Sequence, residues 1–298
     1  MIIKNKIPYY EKGRFWLLSH PRLNPYNFSF DRAFRTFTSP LRVLPDFIII
    51  GFHKCGTTSL YDYLIQHPNI RSTPIKEVHY FDLSYWRGLG WYRTFFPTRI
   101  RKNHFKNRTK QSFITGEASP LYVIHPLAPE RIKKILPEIK LIILLRNPID
   151  RAYSHYQHQV RSGFETKSFE QSIQDDEKNL EQMNKKFIKD ELNEYNIRHM
   201  CLPYLSMSKY VDQIMKWYQV FSKDQILVLN LDDMESNLEM TLKQTFEFLN
   251  LENHEINNKE KKNVGKYNVM NEQTRLNLIE FYKPYNKKLE DFLKIKLD

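Results

Sequence analysis

Apolar positions along this chain fall into short uninterrupted runs, separated by longer stretches in which apolar residues recur every three or four positions. Phe47–Ile50 and Leu141–Leu145 show no polar alternation, the pattern of parallel strands covered on both faces. The runs predict strands at 46–51, 113–116, 141–145 and 226–231. Helical spacing predicts helices at 57–67, 126–136, from Pro148 onward, and at 204–221, 235–249 and 271–293. Strands alternating with helices imply an α/β fold on a parallel sheet. Residues 82–110 read as largely irregular, and 168–200, rich in charge and amide, as an amphipathic helix that is either a lid or an ordinary surface helix.

The first chemistry lies in the turn after the first run, Gly51-Phe52-His53-Lys54-Cys55-Gly56-Thr57-Thr58. Two glycines permit backbone conformations closed to other residues, and Thr57, Thr58 and Ser59 open a helix whose free N–H groups favour an anion. Against the Walker A pattern the glycines are correctly spaced, but Thr57 stands where the lysine belongs and Lys54 comes earlier. The plain alternative is a glycine turn ahead of a core helix. The second run ends in Arg146, followed by Pro148 at an early helical position and Ser154 two helical turns on. Ligands of doubly wound sheets collect outside the carboxyl ends of strands, so Arg146 and Lys54 can reach one nucleotide. Taken singly, Arg146 reads as a surface ion pair and Ser154 as a solvated helix position. Their order and spacing after the first loop point instead to phosphate.

A lysine inside the loop followed by Gly-Thr-Thr resembles the 5′-phosphosulfate loop of sulfotransferases that use 3′-phosphoadenosine 5′-phosphosulfate (PAPS). Arg146 followed by Ser154 resembles their 3′-phosphate segment. Glu77-Val78-His79-Tyr80-Phe81-Asp82 and Gly88-Leu89-Gly90-Trp91-Tyr92 narrow the resemblance to the heparan-sulfate branch, the glucosaminyl 3-O-sulfotransferases and the N-sulfotransferase domain. It is strong over residues 45–165 and weaker beyond.

The resemblance implies the sulfotransferase fold, a P-loop-type parallel β-sheet flanked by helices. It also implies PAPS as co-substrate and adenosine 3′,5′-bisphosphate as product. Carried over residue by residue, it assigns catalysis to Glu77, Lys54 and His79. Cofactor binding falls to Lys54, Cys55, Gly56, Thr57, Thr58, Ser59, Arg146 and Ser154. Gly265 and Lys266 stand where the family closes a loop over the 3′-phosphate, and read equally as solvated loop. The chemistry suits Glu77, since a sugar hydroxyl is a poor nucleophile until a positioned carboxylate takes its proton. On an extended segment His79 would face the same way. The blander reading pairs Glu77 with a nearby lysine and leaves His79 a half-buried, hydrogen-bonded histidine. One position departs from the family: in Gly116-Glu117-Ala118-Ser119-Pro120-Leu121-Tyr122, Ala118 replaces a lysine beside the acceptor. Either Lys54 and His79 stabilise the developing charge, or the acceptor is not heparan sulfate.

With 298 residues and no Pro/Gly/Ser-rich linker, the chain reads as one domain over 45–298. An extension over 1–44 is expected to dock on it through Phe15, Trp16, Phe28 and Phe30. A hydrophobic content of 41% excludes a disordered polymer. The net charge of +12 points to anionic partners, but the basic residues are dispersed and no nucleic-acid-binding motif appears, so nucleic acid is not expected. Two cysteines make neither a disulfide framework nor a metal quartet, and no metal is expected; Cys55 reads as tolerated, not catalytic. The animal Golgi enzymes of the branch carry an N-terminal anchor, and the first 45 residues hold no apolar run long enough for one, so a soluble cytoplasmic protein is expected. The expected reaction moves a sulfuryl group from PAPS to a hydroxyl, on a carbohydrate or alternatively on a small alcohol or amine. From other classes, a nucleotide kinase or NTPase would need a magnesium-binding aspartate where Arg146 stands, and a polyanion-binding protein would need no Glu77.

Overall fold

The computed structural model describes residues 30–193, 197, 202–262, 265 and 268–294. The four apolar runs become β1 (Phe47–Gly51), β3 (Ile114–Ala118), β4 (Lys140–Leu145) and β5 (Ile226–Asn230), and a two-residue strand that no apolar run predicts, β2 (Ile70–Arg71), joins them. All neighbours pair in parallel in the order β2-β3-β1-β4-β5. Every residue of β1 is buried, as its lack of polar alternation requires at the centre of a sheet covered on both faces. Phe47 lies opposite Gly116, where an added Cβ would sit 2.5 Å from the Phe47 ring. A glycine there lets the ring lie flat on the neighbouring strand.

β3 runs two residues past the expected end at Gly116. Glu117 looks like a strand terminator in the sequence, yet it stays in the ladder opposite Ile48 because buried hydroxyls satisfy its carboxylate. The helix after β1, α1 (Thr57–Leu64), stops before the expected 67 because the chain turns through Gln66 and His67, whose N–H groups bond back to Tyr63 and Leu64. Within the stretch read as irregular lies a helix at Arg99–Thr109, which buries no residue and is started by Thr98 accepting from the Arg101 N–H. A helix without an apolar face leaves no periodic signal. The helix expected over 204–221 begins at Tyr210, because Asp176 takes the Leu205 and Ser206 N–H groups and holds that segment in a turn. The helix expected over 235–249 is two, Leu231–Ser236 and Leu238–Phe248, divided at Asn237, whose side chain caps the second.

Asp176–Ile188 packs on the body through buried Met183 and Phe187, the latter 4.5 Å from the His125 ring, as a surface helix does. Ahead of β1, Arg42 donates to the Phe96 carbonyl at 2.6 Å and Arg35 to the Thr94 carbonyl at 3.2 Å. These bonds tie residues 35–42 to the segment before Arg99. Phe15, Trp16 and Phe28 lie outside the described residues.

Candidate active site

A cleft of about 910 Å³ opens at the carboxyl ends of β1 and β4. One wall of it begins in the loop after β1. Lys54 and Gly56 adopt left-handed φ of 67° and 82°, and Gly56 caps α1, so the chain reverses and presents the first turn of that helix to the cleft. Burial depresses the Lys54 pKa, and Arg161, Arg146 and Lys76 push it down further. Four cations around one loop make an environment in which a bound anion is favourable. Arg146, at the end of β4, also donates to the Lys54 carbonyl at 3.3 Å. Asn147 then starts α2 (Pro148–Arg161) by accepting from the Ile149 and Asp150 N–H groups, and the helix carries Ser154 into the same cleft. Arg151, between them, turns away and is fully buried, donating to Ser208 Oγ at 2.5 Å and to the Tyr204 carbonyl.

Thr57, Thr58 and Ser59 line the cleft, and Ser59 Oγ accepts from the Lys262 N–H at 3.0 Å, pinning the 258–262 segment to α1. Gly265 lines the cleft beyond it, and Lys266 lies outside the described residues. Cys55 corrects the sequence reading. Its side chain is fully buried against Tyr210 at 3.7 Å and its N–H bonds the Phe52 carbonyl, so neither group meets the cleft. Burial pushes its thiol up to about 11, which leaves it inert.

Glu77 and His79 line another part of the cleft, with Asp82 buried behind them. His79 Nε2 lies 3.3 Å from Glu77 Oε2 and Nδ1 lies 2.8 Å from Asp82 Oδ2. The sequence brings Glu77 and His79 together by strand alternation, whereas the structure does so by a turn. His79 has φ 52° and caps a one-turn helix, Tyr80–Leu83, which folds Asp82 back beneath the ring. Burial opposes a charged imidazole, but the Asp82 carboxylate and then Glu77 outweigh it and raise the His79 pKa well above its usual range. Burial likewise draws the Glu77 carboxyl up, but the bond to His79 and the charges of His79 and Lys76 hold it below the usual carboxylate range.

Lys76 lies 3.5 Å from Glu77 and donates to Thr58 Oγ1, so it joins the acceptor segment to the loop. His53, also in the cleft, has a buried Nε2 with no partner among the described residues, and burial lowers its pKa to about 4. Asp82 stood in the quoted motif without a role, while Lys76 and His53 carried no spacing signal and are found only through the fold. Ala118 is fully buried opposite Ile49 and does not line the cleft.

A parallel α/β sheet with an anion-binding loop after its central strand and a second cationic turn on the adjacent strand defines a nucleotide-binding α/β protein. The chain belongs to the sulfotransferase family, since residues 44–292 match the model described as Sulfotransferase domain. The chain is 26% identical over 319 residues to the membrane-associated sulfotransferase kil1 of Dictyostelium discoideum, spanning 85% of this chain and 66% of that protein. To heparan sulfate glucosamine 3-O-sulfotransferase 6 of Homo sapiens it is 40% identical over 115 residues, 39% of this chain and 30% of the relative. The resemblance to the heparan-sulfate branch is thus borne out, and the chain spans at most 66% of the length of either relative. The crystal structure of a sulfotransferase from Alicyclobacillus acidocaldarius superposes with a TM-score of 0.66 at 26% identity, over 86% of this chain and 98% of that one.

The expectation of a cytoplasmic protein does not stand, because a relative aligned over most of the chain is membrane-associated. Among the described residues no helix is long and apolar enough to cross a membrane, but membrane association does not require one.

Proposed function

We propose that this sulfotransferase moves a sulfuryl group from PAPS to a hydroxyl of a carbohydrate, within a single domain spanning 45–298. One observation carries the reading: the Lys54 loop and the Glu77–His79 pair, held from behind by Asp82, open onto the same cleft. Lys54 and the leading N–H groups of α1, from Thr57 to Ser59, hold the 5′-phosphate, and Arg146 with Ser154 holds the 3′-phosphate. Gly265, which lines the cleft, belongs to the loop that would close over it. As the acceptor oxygen attacks sulfur, the bond from sulfur to the 5′-phosphate oxygen breaks and the acceptor proton passes to Glu77. Because Glu77 is held ionised by His79, it is a weak base in isolation, and the proton moves only as the new sulfur–oxygen bond forms. The charge that gathers on the leaving oxygen meets Lys54, a preorganised cation in a partly desolvated loop.

A carbohydrate acceptor is supported by the 40% identity to a glucosamine 3-O-sulfotransferase. The absence of the family's acceptor-side lysine supports a second reading, a small alcohol or amine; Ala118 itself is buried in β3 and forms no part of the cleft wall. Calorimetry with adenosine 3′,5′-bisphosphate and the 5′-monophosphate tests the donor half. Hydrogen bonds to charged groups contribute about 1.5–3 kcal/mol each, so the bisphosphate should bind at least about tenfold more tightly. Equal affinity would remove Arg146 and Ser154 from the site. Labelled PAPS with heparan sulfate, against a panel of small alcohols and amines, separates the two acceptors.

A further inference from the structure

Glu117 is fully buried in β3 and accepts from three hydroxyls, Tyr92 at 2.5 Å, Ser119 at 2.8 Å and Tyr122 at 3.2 Å. Two of those buried hydroxyls also accept N–H groups of the segment that carries His79. Ser119 Oγ accepts the His79 N–H at 3.2 Å and Tyr122 Oη accepts the Tyr80 N–H at 2.8 Å. These are leading N–H groups of the Tyr80–Leu83 helix, which have no acceptor within the helix itself. His79 also holds a left-handed φ that a residue with a Cβ adopts only when its surroundings enforce it.

We propose that Glu117 is a positioning residue for sulfuryl transfer, fixing the His79 turn through Ser119 and Tyr122 and so setting the geometry of Glu77, His79 and Asp82. This rests on the reading of Glu77 and His79 as the acceptor side. Each relay hydroxyl has one proton, and it presents a lone pair to a backbone N–H reliably only if that proton points elsewhere. An ionised carboxylate, acceptor-only at both oxygens, fixes all three rotors at once. A glutamine in its place would set an amide N–H₂ against a hydroxyl and free one rotor. Burial raises the Glu117 carboxyl to about 7, against the pull of Tyr92, Ser119 and Tyr122, so the network operates with the carboxylate as the pH rises past neutrality.

The test uses Glu117→Gln with three readouts: kcat and KM for labelled PAPS on heparan sulfate, affinity for adenosine 3′,5′-bisphosphate, and the His79 titration by imidazole NMR. Loss of positioning should lower kcat roughly 10- to 100-fold while nucleotide affinity stays within about twofold. The His79 titration should move down toward its ordinary 6.5, because its elevation depends on being held against Asp82 and Glu77. Wild-type kcat with an unmoved His79 titration would overturn the proposal. Should Glu117→Gln fail to fold, Tyr122→Phe removes one link at constant volume and should shift His79 in the same direction; an unmoved titration there overturns it equally. Full turnover by Glu77→Gln would instead defeat the acceptor reading, leaving the His79 titration to decide the role of Glu117.

Discussion

Lys54 sits in a left-handed turn with Arg146, Arg161 and Lys76 around it, and the proposed mechanism puts its charge where leaving-group charge grows as the sulfur–oxygen bond breaks. Lys54→Ala should therefore lower kcat by roughly 10²–10³-fold, with a smaller loss of affinity for adenosine 3′,5′-bisphosphate. Unchanged kcat at saturating PAPS would take Lys54 out of the mechanism. Glu117 supplies a stability prediction of defined sign. Its folded value of about 7 lies above the ordinary 4.5, so between those pH values the folded protein retains a proton that the unfolded chain releases. Stability from this group is fully present below 4.5 and is lost as pH rises through 7, by roughly 3 kcal/mol. Glu117→Gln lacks that loss, so urea unfolding should show wild type losing its lead over the variant as pH rises from 4.5 to 8. A pH-independent difference would contradict the raised value. Lys54, Glu77, His79, Arg146 and Ser154 were legible because each sits in a local motif of fixed spacing. Glu117, Lys76 and His53 stand out only through contacts made in the fold or through an unpartnered buried nitrogen, and neither leaves a linear pattern.

Among the elements, β1 and β4 were legible because a fully buried strand has one signature, an apolar run without alternation. Several boundary errors share a cause: hydrogen bonds of polar side chains, not the apolar pattern, decide where the element starts or stops. Tyr92, Ser119 and Tyr122 keep Glu117 in β3, Asp176 delays the helix that starts at Tyr210, and Asn237 divides the helix pair after β5. The helix at Arg99–Thr109 was invisible for want of an apolar face. The close approach of β1 and β3 gives an element-scale prediction. Gly116→Ala drives a methyl against the buried Phe47 ring at 2.5 Å, so the ring or the strand must shift. It should cost about 1–3 kcal/mol in chemical denaturation, as overpacking typically does. A neutral substitution would mean that the strands separate more easily than this packing allows.

For the whole molecule, a net charge of +12 draws anionic substrates from beyond contact range, an effect that salt screens over about 8 Å at physiological ionic strength. With heparan sulfate as acceptor, kcat/KM should fall several-fold from low to high salt while saturated kcat holds. A salt-independent kcat/KM would place the encounter outside that field. Charge alone, however, fits a polyanion-binding protein as well as an enzyme. What separates them is the claim that one cleft joins a nucleotide-holding loop to a base. Glu77→Gln keeps the shape of the side chain and removes its basicity, so the decisive measurement is its turnover of labelled PAPS on an acceptor that the wild type sulfates, alongside its affinity for adenosine 3′,5′-bisphosphate. Turnover should drop by about 10²–10⁴-fold with nucleotide affinity nearly intact; full activity in this variant would contradict the proton transfer on which the account rests.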